Sequence, residues 1–168
     1  MNVRPEQPGD EEPIRAVHRA ALGEGEARLV DLLRELPGYG PSLVAEVEGS
    51  VVGHVLFSRA WIDCADGERR EVSNLAPVSV LPAFQGQGIG SALIRAALAD
   101  IAIPAIVLGH ETYYPRFGFE PAAGYGIEWA YAADEPTPPA FMAWFPPGDW
   151  SAYHGRAVYP APFDEVGD

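Results

Sequence analysis

The chain has 168 residues, 48% of them apolar and 11% aromatic, which suits a single domain over residues 1–168 with a buried core. Its 24 acidic and 11 basic residues give a formal charge of −13, against any grip on nucleic acid that depends on neutralising phosphates, while favouring cationic small molecules. The polar, acidic start "MNVRPEQPGDEEP" has no apolar signal core and no later run is long enough to cross a bilayer, so a soluble, cytoplasmic protein without a membrane partner is expected.

In chain order, "NVR" reads as an edge strand. "DEEPIRAVHRAAL" then puts Ile14, Val17, His18 and Leu22 near one helix face, with Asp10 placed to cap it. A second helix, "GEARLVDLLREL", is expected to stop at Pro37-Gly38. The run "SLVAEVEGSVVGHVLFSRAWID" has the alternation of a hairpin, with Leu43, Ala45 and Val47 facing one way and a Glu-Gly-Ser turn before Val51. "DCADGERR" reads as a turn, and its Cys64, the lone cysteine, as incidental: there is no partner for a disulfide or a metal knuckle.

"REVSNLAPVSV" returns as a long strand whose interior holds Pro77, a residue that cannot donate to a sheet ladder, so pairing must be interrupted there. Helical spacing resumes at Gly88, with Ile89, Leu93, Ala96 or Ala97, and Ile101 forming a stripe that ends by Pro104. "AIVLG" is a short apolar strand of the kind buried on both faces. "HETYYPRFGFEPA" reads as a brief aromatic helical turn stopped by glycine, "AADEPTPP" and "PPGDW" as loops, and "AFMAWF" and the run from Gly155 to Phe163 as further strands. Helices, an antiparallel meander and a strand–helix–strand crossover together predict an α+β fold: a mixed, mostly antiparallel central sheet with a short parallel pair, flanked by helices.

The crossover turn, Gly86, Gly88 and Gly90, is weak evidence alone, since glycine serves wherever the backbone needs a positive φ. It lacks the Gly-Lys-Ser/Thr of a P-loop and the acidic ribose partner of a dinucleotide fold, which disfavours ATP and NAD. It does feed a helix within a stretch, Glu71 to Asp100, that contains no intervening carboxylate, and helix-start amides without acid nearby suit a pyrophosphate. Gln85 can add an amide to such a site or pin the loop.

"VLPAFQGQGIGSALI" resembles the cofactor motif of the GNAT superfamily of N-acetyltransferases, Gln/Arg-x-x-Gly-x-Gly/Ala, filled here by Gln85, Gly88 and Gly90. "YYPRFGFEP" is similar to that family's Phe-Tyr-Glu-Lys-Leu-Gly-Phe segment. The wider run looks like the YhbS-like branch of the family, over most of the chain after about residue 40. The resemblance implies a sheet splayed at its parallel pair. It implies acetyl-CoA as cosubstrate, with the main chain of Val78, Ser79 and Val80 along the pantetheine and acetyl group. The amides of Gln85, Gly86, Gln87, Gly88, Ile89, Gly90 and Ser91 would hold the pyrophosphate, and Tyr114 would be the general acid.

The implied reaction is transfer of an acetyl group to a primary amine of a small molecule or peptide, by direct attack in a ternary complex. The acidic surface hints at a cationic acceptor. The position of the glutamate base in histone-type relatives falls on Asn74, which cannot accept a proton. That leaves a water-relayed base or capture of the minor neutral amine. His110 and Glu111 are preferred over Glu46, Glu71 and His54, the last of which reads as packed in the hairpin. Arg95 and Arg116 are candidates for the 3′-phosphate. The four histidines show no metal-ligand spacing, so no metal is expected. The other class that fits is a catalytically silent acyl-CoA-binding or sensing module of the same fold, and a monomer or a homodimer is equally compatible.

Overall fold

A computed structural model describes residues 1–131 and 134–165. Ala132 and Ala133 of the expected "AADEPTPP" loop and Val166 at the end of the tail lie outside the described residues. The elements are β1 (Asn2–Pro5), α1 (Glu11–Ala21), α2 (Glu24–Arg34), β2 (Ser42–Val47), β3 (Ser50–Cys64), β4 (Arg69–Val80), α3 (Ile89–Leu98) and β5 (Ala105–Leu108). They continue with β6 (Glu120–Pro121), β7 (Ile127–Glu128), β8 (Phe141–Trp144), β9 (Gly155–Val158) and α4 (Pro162–Glu165). The chain divides into two compact bodies, through both of which β3 and β4 run.

The first body comprises Met1–Ser58, Ala76–Asp100 and the segment from Ala161. Its strands are ordered β1-β2-β3-β4. The β2–β3 hairpin is antiparallel as expected, with a register shift between Ala45 and Glu46. Alternation along β2 is incomplete: Leu43, Val44 and Ala45 are all buried, whereas Val47 is half-buried. The cause is cover on both faces. Val44 and Leu56 join Ile14, Leu29, Val30 and Leu33 of α1 and α2 in one core cluster, and α3 packs against β2 as well.

Helix ends differ from expectation in three places. Asp10 stands at the start of α1 but makes no side-chain cap; its carboxylate accepts from Arg4 (2.7 Å) and from the Gln7 amide (2.7 Å). An ion pair with a guanidinium outcompetes a single capping bond here. α2 ends at Arg34, before Pro37-Gly38. α3 starts where glycine permits, with Gly88 at its N-cap in the left-handed region, and ends at Leu98, so buried Ile101 lies beyond it.

The second body comprises Arg59–Leu75 and Ile101–Pro160, with strands in the order β3-β4-β5-β8-β6 and with β9 on β3 and β7 on β9. Its core joins Ile62, Val72, Ile106, Ile127, Phe141 and Ala157, and Trp129, Phe145, Tyr153 and Tyr159 pack against it. Cys64 belongs to this core. It ends β3 rather than sitting in a turn, and its thiol is buried. Only the first three residues of β5 are buried, and Leu108 is exposed. The β4–β5 pair is parallel, as expected from the crossover, and so is the short β7–β9 pair; the remaining described pairs are antiparallel.

Candidate active site

In the first body, β4 leads through a 3₁₀ turn, Pro82–Phe84, into the glycine loop. The Leu81 amide donates to the Val52 carbonyl at 2.8 Å, tying the strand end to β3. Gln85 then reaches back, its side-chain amide donating to the Val80 carbonyl at 2.9 Å, so it pins the loop to the strand. Gly86 (φ 76°) and Gly88 (φ 82°) take left-handed backbone that a side chain would strain. The first bond of the α3 ladder runs from the Ala92 amide to the Gly88 carbonyl, and the first turn carries no acid. The amides ahead of Ala92 therefore open a helix at its positive end, and Gln85, Gly86, Gln87 and Gly88 are exposed there while Ile89 is buried.

α3 approaches β3 at Gly53. A Cβ on Gly53 would lie 3.1 Å from Leu93, 3.2 Å from Ile89 and 3.4 Å from the Ser79 carbonyl. The absence of a side chain there lets the helix start lie close to the sheet. Along the end of β4, Pro77 and Ser79 are buried and Val78 and Val80 half-buried. The parallel ladder with β5 covers Ser73–Ala105 and Asn74–Ile106, while β4 itself continues to Val80.

Still within the first body, α1 and the hairpin bring together four polar side chains that sequence spacing leaves far apart. His18 Nδ1 is 2.8 Å from Ser79 Oγ, His18 Nε2 is 2.7 Å from His54 Nδ1, and His54 Nε2 is 2.8 Å from Ser42 Oγ. Ser42 Oγ donates to Glu6 at 3.3 Å, and Glu6 is ion-paired with Arg34. Both imidazoles are fully buried. Burial, with the nearby Arg34 charge, holds His18 down to about 4; burial first, then His18 and Arg34, holds His54 well below the ordinary histidine range. His54 is thus not merely packed in a hairpin. The signal available in the sequence is a polar residue on the apolar face of each of two elements, too common to single out.

In the second body, Tyr114 opens a 3₁₀ turn, Tyr114–Phe117, closed by Gly118 in the left-handed region. Its ring is buried and meets Tyr113 and Phe119 edge-on at 5.1 and 5.8 Å between centroids. Burial, and secondarily Tyr113, pushes its phenol up to about 12. The ring lies on the bare Cα of Gly109: a Cβ there would be 2.1 Å from Tyr114 Cε2. His110 and Glu111 are exposed just before this turn, where the His110 carbonyl accepts from the Tyr113 amide at 3.1 Å. Asn74 is buried, and its Nδ2 has no partner among the described residues.

The other sequence candidates are engaged. Glu46 is ion-paired with Arg4 and Glu71 with Arg59, both at 2.7 Å. Arg116 donates to the Tyr113 carbonyl and lies over the Tyr113 ring at 4.4 Å. Arg95 is exposed on α3. Among the described residues, no helix is long and apolar enough to cross a membrane.

Comparison with known proteins agrees with this geometry. Residues 39–121 match the family described as "Acetyltransferase (GNAT) domain". The chain is 41% identical over 136 residues to the protein named "Uncharacterized N-acetyltransferase YjhQ" of Escherichia coli, covering 77% of this chain and 73% of that protein. A crystal structure of a GNAT family acetyltransferase from Brucella melitensis in complex with acetyl-CoA is 36% identical, with a TM-score of 0.77 and 97% of each chain covered. The crystal structure of YhbS from Escherichia coli in complex with CoA superposes with a TM-score of 0.84 at 29% identity, covering 97% of this chain and 91% of that one. In sequence YhbS is 34% identical over 141 residues, 80% of this chain and 83% of its own. With the glycine loop, the interrupted parallel pair and the buried tyrosine turn each on its expected element, the chain belongs to the GNAT superfamily of N-acetyltransferases.

Proposed function

We propose that the protein acetylates a primary amine of a small molecule or peptide, using acetyl-CoA by direct attack in a ternary complex. The observation that carries this reading is the pinned loop Gln85–Ser91 opening an acid-free α3, a cradle for a pyrophosphate made from main chain. Gln85, Gly86, Gln87, Gly88, Ile89, Gly90 and Ser91 would hold the diphosphate. The main chain of Val78, Ser79 and Val80, where β4 runs on past its ladder, would line the pantetheine and acetyl end. Acetyl-CoA supplies the activated acetyl group. The complexes of the Brucella relative with acetyl-CoA and of YhbS with CoA support that donor.

The chemistry asks three things of the protein: a neutral amine, a donor to the developing oxyanion and a proton for the departing sulfur. A fixed strand amide near Val80 would serve as oxyanion donor without reorganisation, because sheet bonding already orients it. Tyr114 would be the general acid. Burial keeps its hydroxyl protonated at neutral pH, and packing on Gly109 fixes the ring. His110 and Glu111, exposed at the end of β5, would take up through solvent the second proton, the one the nitrogen loses as the amide forms.

The test is thiol release from acetyl-CoA over alkylamines, polyamines, aminoglycosides and N-terminal peptides, alongside calorimetric binding of acetyl-CoA. Amine-dependent release supports transfer. Tight acetyl-CoA binding with no release for any amine would favour the silent binding module, a reading that Asn74 in place of a carboxylate keeps open.

A further inference from the structure

The buried chain from Ser79 to Glu6 has a direction. A carboxylate ion-paired with Arg34 only accepts, so Ser42 donates to Glu6 and must itself accept from His54 Nε2–H. His54 Nδ1 is then bare and accepts from His18 Nε2–H, which leaves His18 Nδ1 to accept from the Ser79 hydroxyl. Every donor points the same way, from β4 toward Glu6. Ser79 gives away its one proton and keeps lone pairs with which to accept another.

We propose that Ser79, His18, His54, Ser42 and Glu6 form a water-free proton relay that takes the proton an alkylammonium acceptor must lose before it attacks the thioester. The inference rests on the reading that Val78–Val80 line the acetyl end of the cofactor. The ammonium N–H passes its proton to Ser79 Oγ, and the nitrogen keeps the bonding pair as its nucleophilic lone pair. Ser79 gives its own proton to His18 Nδ1, His18 Nε2–H goes to His54 Nδ1, His54 Nε2–H to Ser42, and the Ser42 proton to Glu6. Attack of the freed amine on the thioester draws the transfer forward, and both rings stay neutral, so no imidazolium is buried. After the products leave, transfer back through the same bonds to water at Ser79 restores the starting tautomers.

Two further observations favour a relay over inert packing. Ile14 and Val17 show that the α1 face accepts apolar side chains, yet His18 occupies it fully buried and fully hydrogen-bonded. The chain also begins on the strand proposed to face the reacting acetyl group. The charges that face the histidine pair are Arg34 from α2 and Asp10 from the turn before α1, itself tied to Arg4, with Glu6 at the far end.

The test compares wild type with Ser79→Ala, Glu6→Gln and His54→Gln, assayed with the primary alkylamine that wild type turns over fastest, from roughly pH 6 to pH 10. With the relay, kcat/KM is flat below the amine pKa, because the bound ammonium is deprotonated on the enzyme. Without it, kcat/KM follows the neutral amine and falls roughly tenfold per pH unit. The Glu6 and His54 variants are expected to bind acetyl-CoA like wild type, and all three to lose activity steeply below the amine pKa and to recover above it. Variant profiles parallel to wild type overturn the relay, as does acetyl-CoA binding with no turnover of any amine; absence of acetyl-CoA binding by wild type removes the proposed function itself. Should the His54 variant not fold, Ser79→Ala and Glu6→Gln carry the kinetic test. Imidazole ¹⁵N shifts give an independent readout: both rings should be neutral with the proton on Nε2 from about pH 5 to pH 8, and Nδ1–H on either ring in the resting enzyme would overturn the direction.

Discussion

Replacing Tyr114 by Phe removes one hydroxyl from a buried ring and leaves the ring contacts with Tyr113, Phe117 and Phe119 in place. With its phenol raised to about 12, Tyr114 is protonated at all ordinary assay pH. A thiol ionises near ~8.5, so complete transfer from such a phenol to a free thiolate is uphill by about 5 kcal/mol. The hydroxyl therefore acts chiefly as a donor to negative charge building on sulfur, which sets its worth at the low end of general-acid catalysis, a ~100-fold loss of kcat in Tyr114→Phe. The assay is thiol release at saturating acetyl-CoA, with calorimetric Kd for acetyl-CoA measured in parallel and expected to be unchanged. Wild type should also lack the descending limb near pH ~10 that an ordinary tyrosine acid would give. Equal kcat in the two proteins across the pH range would remove Tyr114 as the acid, and a wild-type limb near pH ~10 would show a phenol that burial does not shift.

Gly88→Glu puts a side chain on left-handed backbone and a carboxylate at the start of α3; no atom lies within 4 Å of the added Cβ, so the fold has room for it. Acetyl-CoA affinity should drop roughly hundredfold by like-charge repulsion, read by calorimetry. Gly109→Ala cannot keep Tyr114 where it is, given 2.1 Å between the new Cβ and Cε2. It should cost roughly 1–3 kcal/mol in urea unfolding and lower kcat as Tyr114→Phe does, with no further loss in the double variant. His18 sits at about 4 in the folded protein against 6.5 when free, so the unfolded chain takes up its proton first as pH falls. Stability is then full above pH ~6.5 and declines toward pH ~4 by roughly 3 kcal/mol from His18, with His54 shifted the same way. Urea midpoints at pH ~7 and ~4.5 check this, and an unchanged midpoint would contradict it.

The parts of the site legible in the sequence are those whose physics is local. Gln85, Gly86 and Gly88 are a strand-to-helix turn with special backbone, and glycine at a left-handed position is visible in the chain itself. The missing carboxylates around α3 are likewise a one-dimensional fact. The Tyr114 turn comes from a resemblance, and its seat on Gly109 does not, because a glycine five residues before a tyrosine says nothing of ring contact. The histidine chain is out of reach for a different reason. His18 lies 36 positions from His54 and 61 from Ser79, and only the docking of α1 on the hairpin joins them.

Elsewhere the fold departs from pattern reading where tertiary cover overrides it. Val44 is buried opposite Leu43 and Ala45 because helices lie on both faces of β2, and strict alternation assumes one wet face. Cys64 reads from its polar neighbours as part of a turn, yet it is the last inward residue of a long strand. β6 and β7, two residues each, are too short to carry any periodicity.

The proposed reaction is transfer of an acetyl group from acetyl-CoA to a primary amine. Thiol release, paired with mass detection of the acetylated amine across the acceptor panel, measures both products of that transfer. Amine-dependent release is expected, with one acetylated amine formed per thiol, both lost in Gly88→Glu. Release that is independent of amine, or none for any acceptor, would contradict it.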